Sequence, residues 1–231
     1  MSEKELIPKS PDELQNLVFE LYEKYTGKKV GKVVDLGAGT GSFSERVSKS
    51  AEFVLAVDSD GSHWKASKVD FLKLDLDDPT FAQEIVRKYG KFDVVIAIEI
   101  IEHLENPFSF IRQCKHLLRD EGLLFVTTPN VEAMNSRIMF LYKGRLVYFD
   151  EYATVRSAHI TPIFGWKLDM ALEESGFEKI HDDYVLNEFT LGKKNWKGWI
   201  SGFFSLLLYP FVKGNKYGAN RVVVAKKKAY G

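Results

Sequence analysis

The sequence predicts an α/β fold, a doubly wound and mostly parallel sheet with helices on both faces, and three observations lead to it. Five apolar runs, at 33–36, 53–57, 69–74, 92–98 and 123–127, alternate with helical segments around 43–49, 62–67, 79–89 and 107–118, the pattern of successive βαβ units. A glycine-rich turn, Gly37-Ala38-Gly39-Thr40-Gly41, follows the first run without a spacer. Two late strands, at 177–185 and about 220–225, bring the sheet to seven. Ligands of such sheets bind beyond the carboxyl ends of the strands, which is where Gly37, Asp58, Asp75 and Glu99 all fall.

Each element has a local reason. Ser10-Pro11-Asp12-Glu13 is a helix start, with Ser10 as N-cap, Pro11 in the first turn and Glu13 placed for a capping box. Leu14, Leu17, Val18, Leu21, Tyr22 and Tyr25 then recur at helical spacing, so a leading helix covers the sheet or the ligand mouth. In the turn, alternate glycines let the backbone pass close to a ligand and tolerate the sharp exit from the strand. A dinucleotide fingerprint, Gly-x-Gly-x-x-Gly, would need glycine where Ser42 stands, but the third glycine comes one residue early, at Gly41. That spacing disfavours NAD and FAD. So does Asp35 inside the strand, because a carboxylate beside the turn suits a cationic ligand better than a pyrophosphate. The run Asp35-Leu36-Gly37-Ala38-Gly39-Thr40-Gly41 resembles the first motif, Asp-x-Gly-x-Gly-x-Gly, of the class I S-adenosylmethionine-dependent methyltransferases.

The resemblance covers most of the chain from Val33 on and implies a Rossmann-like methyltransferase fold whose last two strands form an antiparallel hairpin at the sheet edge. The second strand ends in Asp58, 17 residues after Gly41, where an acidic side chain can accept both ribose hydroxyls. After the third strand, Asp75 and Leu76 would, by the same resemblance, hold the adenine amino group and pack on its ring. The implied cofactor set is Asp35, Gly37, Ala38, Gly39, Gly41, Asp58, Asp75, Leu76 and Glu99. Any one of these carboxylates alone would be read as a turn starter. Their order and spacing together outweigh that reading.

The fourth strand leads into Glu99-Ile100-Ile101-Glu102-His103-Leu104, and a further histidine, His159, lies in Ser157-Ala158-His159-Ile160. A hydroxyl acceptor must lose its proton, either to a general base or to a metal that acidifies it. Glu-x-x-Glu-His followed by a distant His resembles the metal-binding set of the small-RNA 2′-O-methyltransferases and the ubiquinone-biosynthesis O-methyltransferases. The resemblance implies that Glu99, Glu102, His103 and His159 ligate a divalent cation, with magnesium, manganese and zinc all compatible with mixed carboxylate and imidazole ligands. The alternative is a metal-free loop in which the Glu-His pair bonds backbone. His159 or His103 then serves as general base, since imidazole titrates near neutrality. His159, His103 and Glu102 are the catalytic candidates in either case. His63, His116 and His181 read as surface or packing residues.

With 231 residues and 45% hydrophobic content the chain can build one sizeable core, and no Ser/Pro/Gly-rich linker divides it, so residues 1–231 are expected to form a single domain. Residues 131–164 break the alternation and read as a cap over the acceptor, where substrate choice would lie. Lysine plus arginine equals aspartate plus glutamate at 32 each, which counts against nucleic acid as a partner. The balance hides a basic tail: from Leu186 to Gly231 nine lysines and arginines face one acid, Glu188, a net +8. Within it an insertion at about 190–216 holds the most apolar stretch. Read as a helix, 196–212 places Trp196, Trp199, Ile200, Phe203 and Leu207 on one face. The run Trp199–Val212 is 14 residues and contains Pro210, too short to cross a bilayer but suited to lie on an anionic one, or to pack on the domain or a partner copy. One cysteine, Cys114, and a start without a secretory pattern suggest a cytoplasmic protein, peripheral at the inner face of the membrane if the insertion meets lipid. The segment from Asn135-Ser136-Arg137 to Phe149, then His159-Ile160-Thr161-Pro162 and Leu172-Glu173-Glu174-Ser175-Gly176-Phe177, resembles members of this superfamily found in glycan, lipid and quinone biosynthesis, which implies O-methylation of a small-molecule or lipid-linked hydroxyl. A ribose 2′-hydroxyl of RNA is the alternative acceptor, and a non-catalytic S-adenosylmethionine-binding subunit the alternative role.

Overall fold

The computed structural model describes residues 12–27, 29–149, 159–186, 202–203 and 205–229. In chain order the elements are α1 (Asp12–Thr26), β1 (Val30–Leu36), α2 (Ser42–Val47), β2 (Ala51–Asp58), β3 (Asp70–Lys73), α3 (Phe81–Tyr89), β4 (Phe92–Ala97), α4 (Pro107–Leu117), β5 (Leu118–Pro129), α5 (Met134–Lys143), α6 (Gly165–Glu174), β6 (Phe177–Val185) and β7 (Asn220–Lys227). They form one seven-stranded sheet in the order β3-β2-β1-β4-β5-β7-β6. The first five strands are parallel, and β7 runs antiparallel between β5 and β6. The expected parallel sheet with an antiparallel C-terminal pair is therefore the observed one.

Strand alternation divides the core in two. Val34, Leu36, Val95 and Ala97 face a layer made by α3, α4 and α6, where Phe81, Phe110, Ile111 and Leu168 are buried. Val33, Val94, Ile96 and Phe125 face the other way, against Leu14, Val18 and Tyr22 of α1 and Phe43 and Val47 of α2. Both faces are thus covered, as a parallel sheet requires. The leading helix covers the sheet and also reaches the ligand turn, where the Ser42 hydroxyl donates to Gln15 Oε1 at 3.2 Å. Asn106 caps α4 by accepting from the Ser109 N–H at 2.9 Å, and Pro107 stands in its first turn.

One expectation needs correction. The helix expected at 62–67 is a single 3-10 turn, Gly61–His63. Asp60 caps it through the Ser62 N–H, after which Trp64 goes extended and its ring packs on Phe71 at 4.8 Å. The cap region, expected to break the strand-helix alternation, contains α5. In the insertion, residues 202–203 and 205–208 are helical. Trp196, Trp199 and Ile200 lie outside the described residues, as do Ser10 and Pro11. Among the described residues no helix is long and apolar enough to cross a membrane.

Candidate active site

The glycine turn is built by backbone constraint. The N–H groups of Gly37 and Ala38 both donate to Val57 O, at 2.8 and 3.1 Å, folding the turn back over the end of β2. Gly37 has φ +76°, and a Cβ there would stand 2.7 Å from Ile100 Cγ1. Gly41 has φ +85°, and its Cβ would meet the Trp64 ring at 2.6 Å. Neither position can carry a side chain without displacing what packs over it. Asp58, at the end of β2, accepts from the Gly39 N–H at 2.8 Å and the Asp60 N–H at 3.0 Å, so its carboxylate is fixed beside the turn. Asp75 accepts from the Asp77 N–H at 3.0 Å, and Leu76 is buried next to it. Asp77 in turn accepts from the Glu105 N–H, at 2.9 Å, which ties the loop after β3 to the loop after β4.

Asp35 lies inside β1 and is 3% exposed, and its Oδ2 accepts from the Ser44 hydroxyl at 2.5 Å. This bond joins β1 to α2 across the turn. Burial pushes the carboxyl up to about 6, opposed by the Ser44 bond and aided by the charge of Asp58.

Beyond β4 the chain takes a strained step. Glu99 has φ +51°, and its N–H donates to Thr127 Oγ1 at 3.0 Å. Both of its carboxylate oxygens are engaged, Oε1 by the Thr127 hydroxyl and Oε2 by the Asn220 amide, each at 2.8 Å. Burial raises its pKa to about 7. Glu102, fully buried, follows on the 3-10 turn Ile101–His103, where its Oε2 accepts from the Thr128 hydroxyl at 3.1 Å. Burial, and then the charge of Glu99, hold its pKa well above the usual carboxylate range.

The backbone of this turn also captures the distant histidine. The N–H groups of Ile160 and Thr161 both donate to Glu102 O, at 3.0 and 2.9 Å, and the Thr161 hydroxyl donates to Leu104 O at 2.5 Å. His159 is thereby set edge-on to His103, ring centroids 4.7 Å apart, and the Phe149 ring centroid lies 5.3 Å from it. Burial, and then the charge of His103, push the His159 pKa down to about 4. Ligand atoms of Glu102, His103 and His159 all lie within 4.8 Å of one another. Among the described residues, Glu102 Oε1 and His159 Nδ1 are buried with no hydrogen-bond partner.

The expected four-residue cluster is therefore three residues plus a neighbour. Glu102, His103 and His159 converge. Glu99 does not, because Thr127 and Asn220 turn its carboxylate toward the ends of β5 and β7. Thr127, Thr128 and Asn220 were not anticipated as site residues. Their signal was a pair of hydroxyls closing an otherwise apolar strand, and an antiparallel β7 whose first residue returns to the same edge. Arg221, the next residue of β7, is 4% exposed and holds Asp182 at 2.9 and 2.7 Å, Asp169 at 2.6 Å and Gly165 O at 2.8 Å, fixing the start of α6.

Fold and turn together define the class, an S-adenosylmethionine-dependent methyltransferase. The model of a methyltransferase-domain family matches residues 11–182, and the chain belongs to that family. It is similar to the ubiquinone biosynthesis O-methyltransferase of Escherichia coli O6:H1, 24% identical over 168 residues that make up 70% of each chain. The enzyme of the same name from Glaesserella parasuis is 31% identical over 116 residues, 43% of this chain and 45% of that one. Among solved structures, a SAM-dependent methyltransferase from Archaeoglobus fulgidus superposes with a TM-score of 0.65 at 17% identity, covering 94% and 95% of the two chains. The N-methyltransferase NodS of Bradyrhizobium japonicum, solved with S-adenosyl-L-homocysteine, gives 0.57 at 10% identity, covering 94% of this chain and 87% of that one.

The environment of Asp35 gives a pH signature. Its folded pKa is raised above the ordinary 3.8, so the stability it contributes is full below about pH 4 and lost as the pH rises through about 6. Asp35→Asn cannot ionise, and in chemical denaturation without cofactor it should gain on the wild type by roughly 3 kcal/mol between acid and mildly alkaline pH. A difference between the two that does not move with pH would contradict this assignment.

Proposed function

We propose that this methyltransferase transfers the methyl group of S-adenosylmethionine to a hydroxyl oxygen of a small or lipid-linked acceptor, of the quinone-precursor or lipid-carried glycan kind, held at Glu102, His103 and His159. The observation that carries the reading is the convergence of these three side chains from segments 56 residues apart. On the cofactor side, Asp58 accepts the ribose hydroxyls and Asp75 and Leu76 receive the adenine, over the turn of Gly37, Ala38, Gly39 and Gly41, with Asp35 and Glu99 nearest the methionine portion. The names of the curated relatives support oxygen as the acceptor atom.

Two imidazoles and a carboxylate within 4.8 Å, two of their buried atoms without a hydrogen-bond partner among the described residues, fit a divalent cation of the magnesium, manganese or zinc kind. Glu102, His103 and His159 would hold such an ion, which would supply Lewis acidity toward the acceptor hydroxyl. The protein's own part is orientation. Thr128 fixes one oxygen of Glu102 and leaves the other directed into the site, and the Glu102 carbonyl fixes His159 through the next two N–H groups. With a pKa near 4, His159 keeps its lone pair throughout neutral pH yet is a weak proton acceptor, which favours the ligand role over the general-base role. Displacement at the sulfonium then needs mainly alignment, since the oxygen lone pair forms the new C–O bond as the C–S bond breaks.

His159→Ala should lower turnover by on the order of 100-fold or more while calorimetry shows S-adenosylmethionine binding unchanged. Retention of full activity in this variant would remove the acceptor-site assignment.

We further propose that the cap side of this protein rests on an anionic membrane surface. Phe140, Leu141 and Tyr142 at the end of α5, and Phe203, Leu206, Leu207 and Phe211 of the insertion, are exposed apolar side chains. The two segments are tied together, Arg137 Nη1 donating to Lys213 O at 2.9 Å and the Met134 N–H to Lys216 O at 3.1 Å. Lys143 and Lys213 flank them, which suits anionic headgroups. The wild-type chain should sediment with phosphatidylglycerol vesicles, and the double variant Leu141→Asp, Phe211→Asp should stay in the supernatant. Equal sedimentation of the two would overturn the surface.

A further inference from the structure

A cavity of about 320 Å³ opens near Lys91, Arg112, Lys115, His116 and Lys227, with Glu174 the one carboxylate lining it among the described residues. Its volume is in the range of small-ligand sites. Lys91 immediately precedes β4 and Lys227 ends the antiparallel β7, so the cavity lies at the amino ends of the parallel strands. The cofactor turn and the Glu102 cluster are at the opposite edge. The two edges are joined by α4, which begins at Pro107, just after the cluster, carries Arg112, Lys115 and His116 on one stripe, and is roughly 16 Å long at the usual rise per residue.

Basic residues often gather in the last turn of a helix, where they complement its negative end. That accounts for Lys115 and His116. It does not account for Arg112, a turn earlier, or for Lys91 and Lys227, which arrive from other elements. Lys227 is 4% exposed; its Nζ donates to Leu118 O at 2.9 Å and pairs with Asp120 at 3.0 Å. Lys115 Nζ lies 3.2 Å from where a Cβ on Gly176 would stand, so the glycine leaves that lysine its room. Among the described residues, Lys91, Arg112, Lys115 and Lys227 line the cavity against Glu174, with Asp120 paired to Lys227. Among the described residues no Phe, Tyr or Trp lines the cavity to stack a nucleobase; it offers an arginine fork and ammonium groups, the chemistry of phosphate recognition.

We propose that this cavity binds a small phosphate-bearing polyanion, at a site separate from methyl transfer. Calorimetric titration of the full chain with inorganic pyrophosphate at low salt, the cofactor site saturated with S-adenosylhomocysteine, should show one binding event per chain. Arg112 and Lys49 are both exposed, and Lys49 is outside the cavity. Arg112→Glu should weaken binding by about tenfold or more, while Lys49→Ala should leave it within about twofold. No binding to the wild type, or equal weakening in the two variants, overturns the proposal. Vesicles of phosphatidic acid that bind the wild type but not Arg112→Glu, with no binding of pyrophosphate, would also overturn it, in favour of a lipid headgroup.

Discussion

The acceptor end of the molecule depends on how Glu102 is held. Its side chain is fully buried and gripped by the Thr128 hydroxyl at the end of β5, while its backbone carbonyl receives the N–H groups of Ile160 and Thr161. One residue therefore anchors the loop after β4 to the sheet and the cap segment to that loop. Among the described residues one of its oxygens is satisfied and the other is not, which is costly in an apolar setting. That cost is accepted at a position where two imidazoles converge, and functional sites are where such local conflicts concentrate.

Glu99 belongs to the same arrangement in a different capacity. Its positive φ reverses the chain as it leaves β4, and the hydrogen bonds from Thr127 and Asn220 hold that strained conformation. Burial is the main cost of ionising either carboxylate, and at Glu102 the charge of Glu99 adds to it. The β5-β7 pairing does more than close the sheet. An antiparallel β7 returns Asn220 and Arg221 to the carboxyl edge, opposite Pro129 and Thr128, so the late hairpin supplies residues to a site begun more than a hundred residues earlier.

Much of this was legible in the residues. The parallel strands are short apolar runs bounded by glycine and charge, and the turn after β1 can be read because Gly37 and Gly41 are positions where sterics exclude any side chain. Strand β5 was read from 123 because Arg119, Asp120 and Glu121 interrupt its apolar run, yet pairing starts at Leu118 and accommodates the interruption with a register shift. Helix α5 was missed because its last turn exposes Phe140, Leu141 and Tyr142, erasing the amphipathic pattern by which a helix packed on a core is recognised. The 62–67 segment failed in the opposite sense: Trp64 found a better partner in Phe71 and the glycine turn than in a helix. His159 was found only through a resemblance to other sequences, since no local pattern joins it to His103. What joins them is a pair of backbone hydrogen bonds that only the folded chain makes.

We propose that Glu102, His103 and His159 serve cation-dependent methyl transfer to a hydroxyl of a small or lipid-linked acceptor. It is tested most directly by incubating the pure protein with S-adenosylmethionine bearing a labelled methyl group and a host-cell extract, with and without a chelator, and counting the organic-soluble, RNA and small aqueous fractions. The account predicts base-stable label in the organic-soluble fraction, abolished by the chelator and restored by adding back a divalent cation. Label in RNA, label indifferent to the chelator, or no transfer despite tight cofactor binding would contradict it.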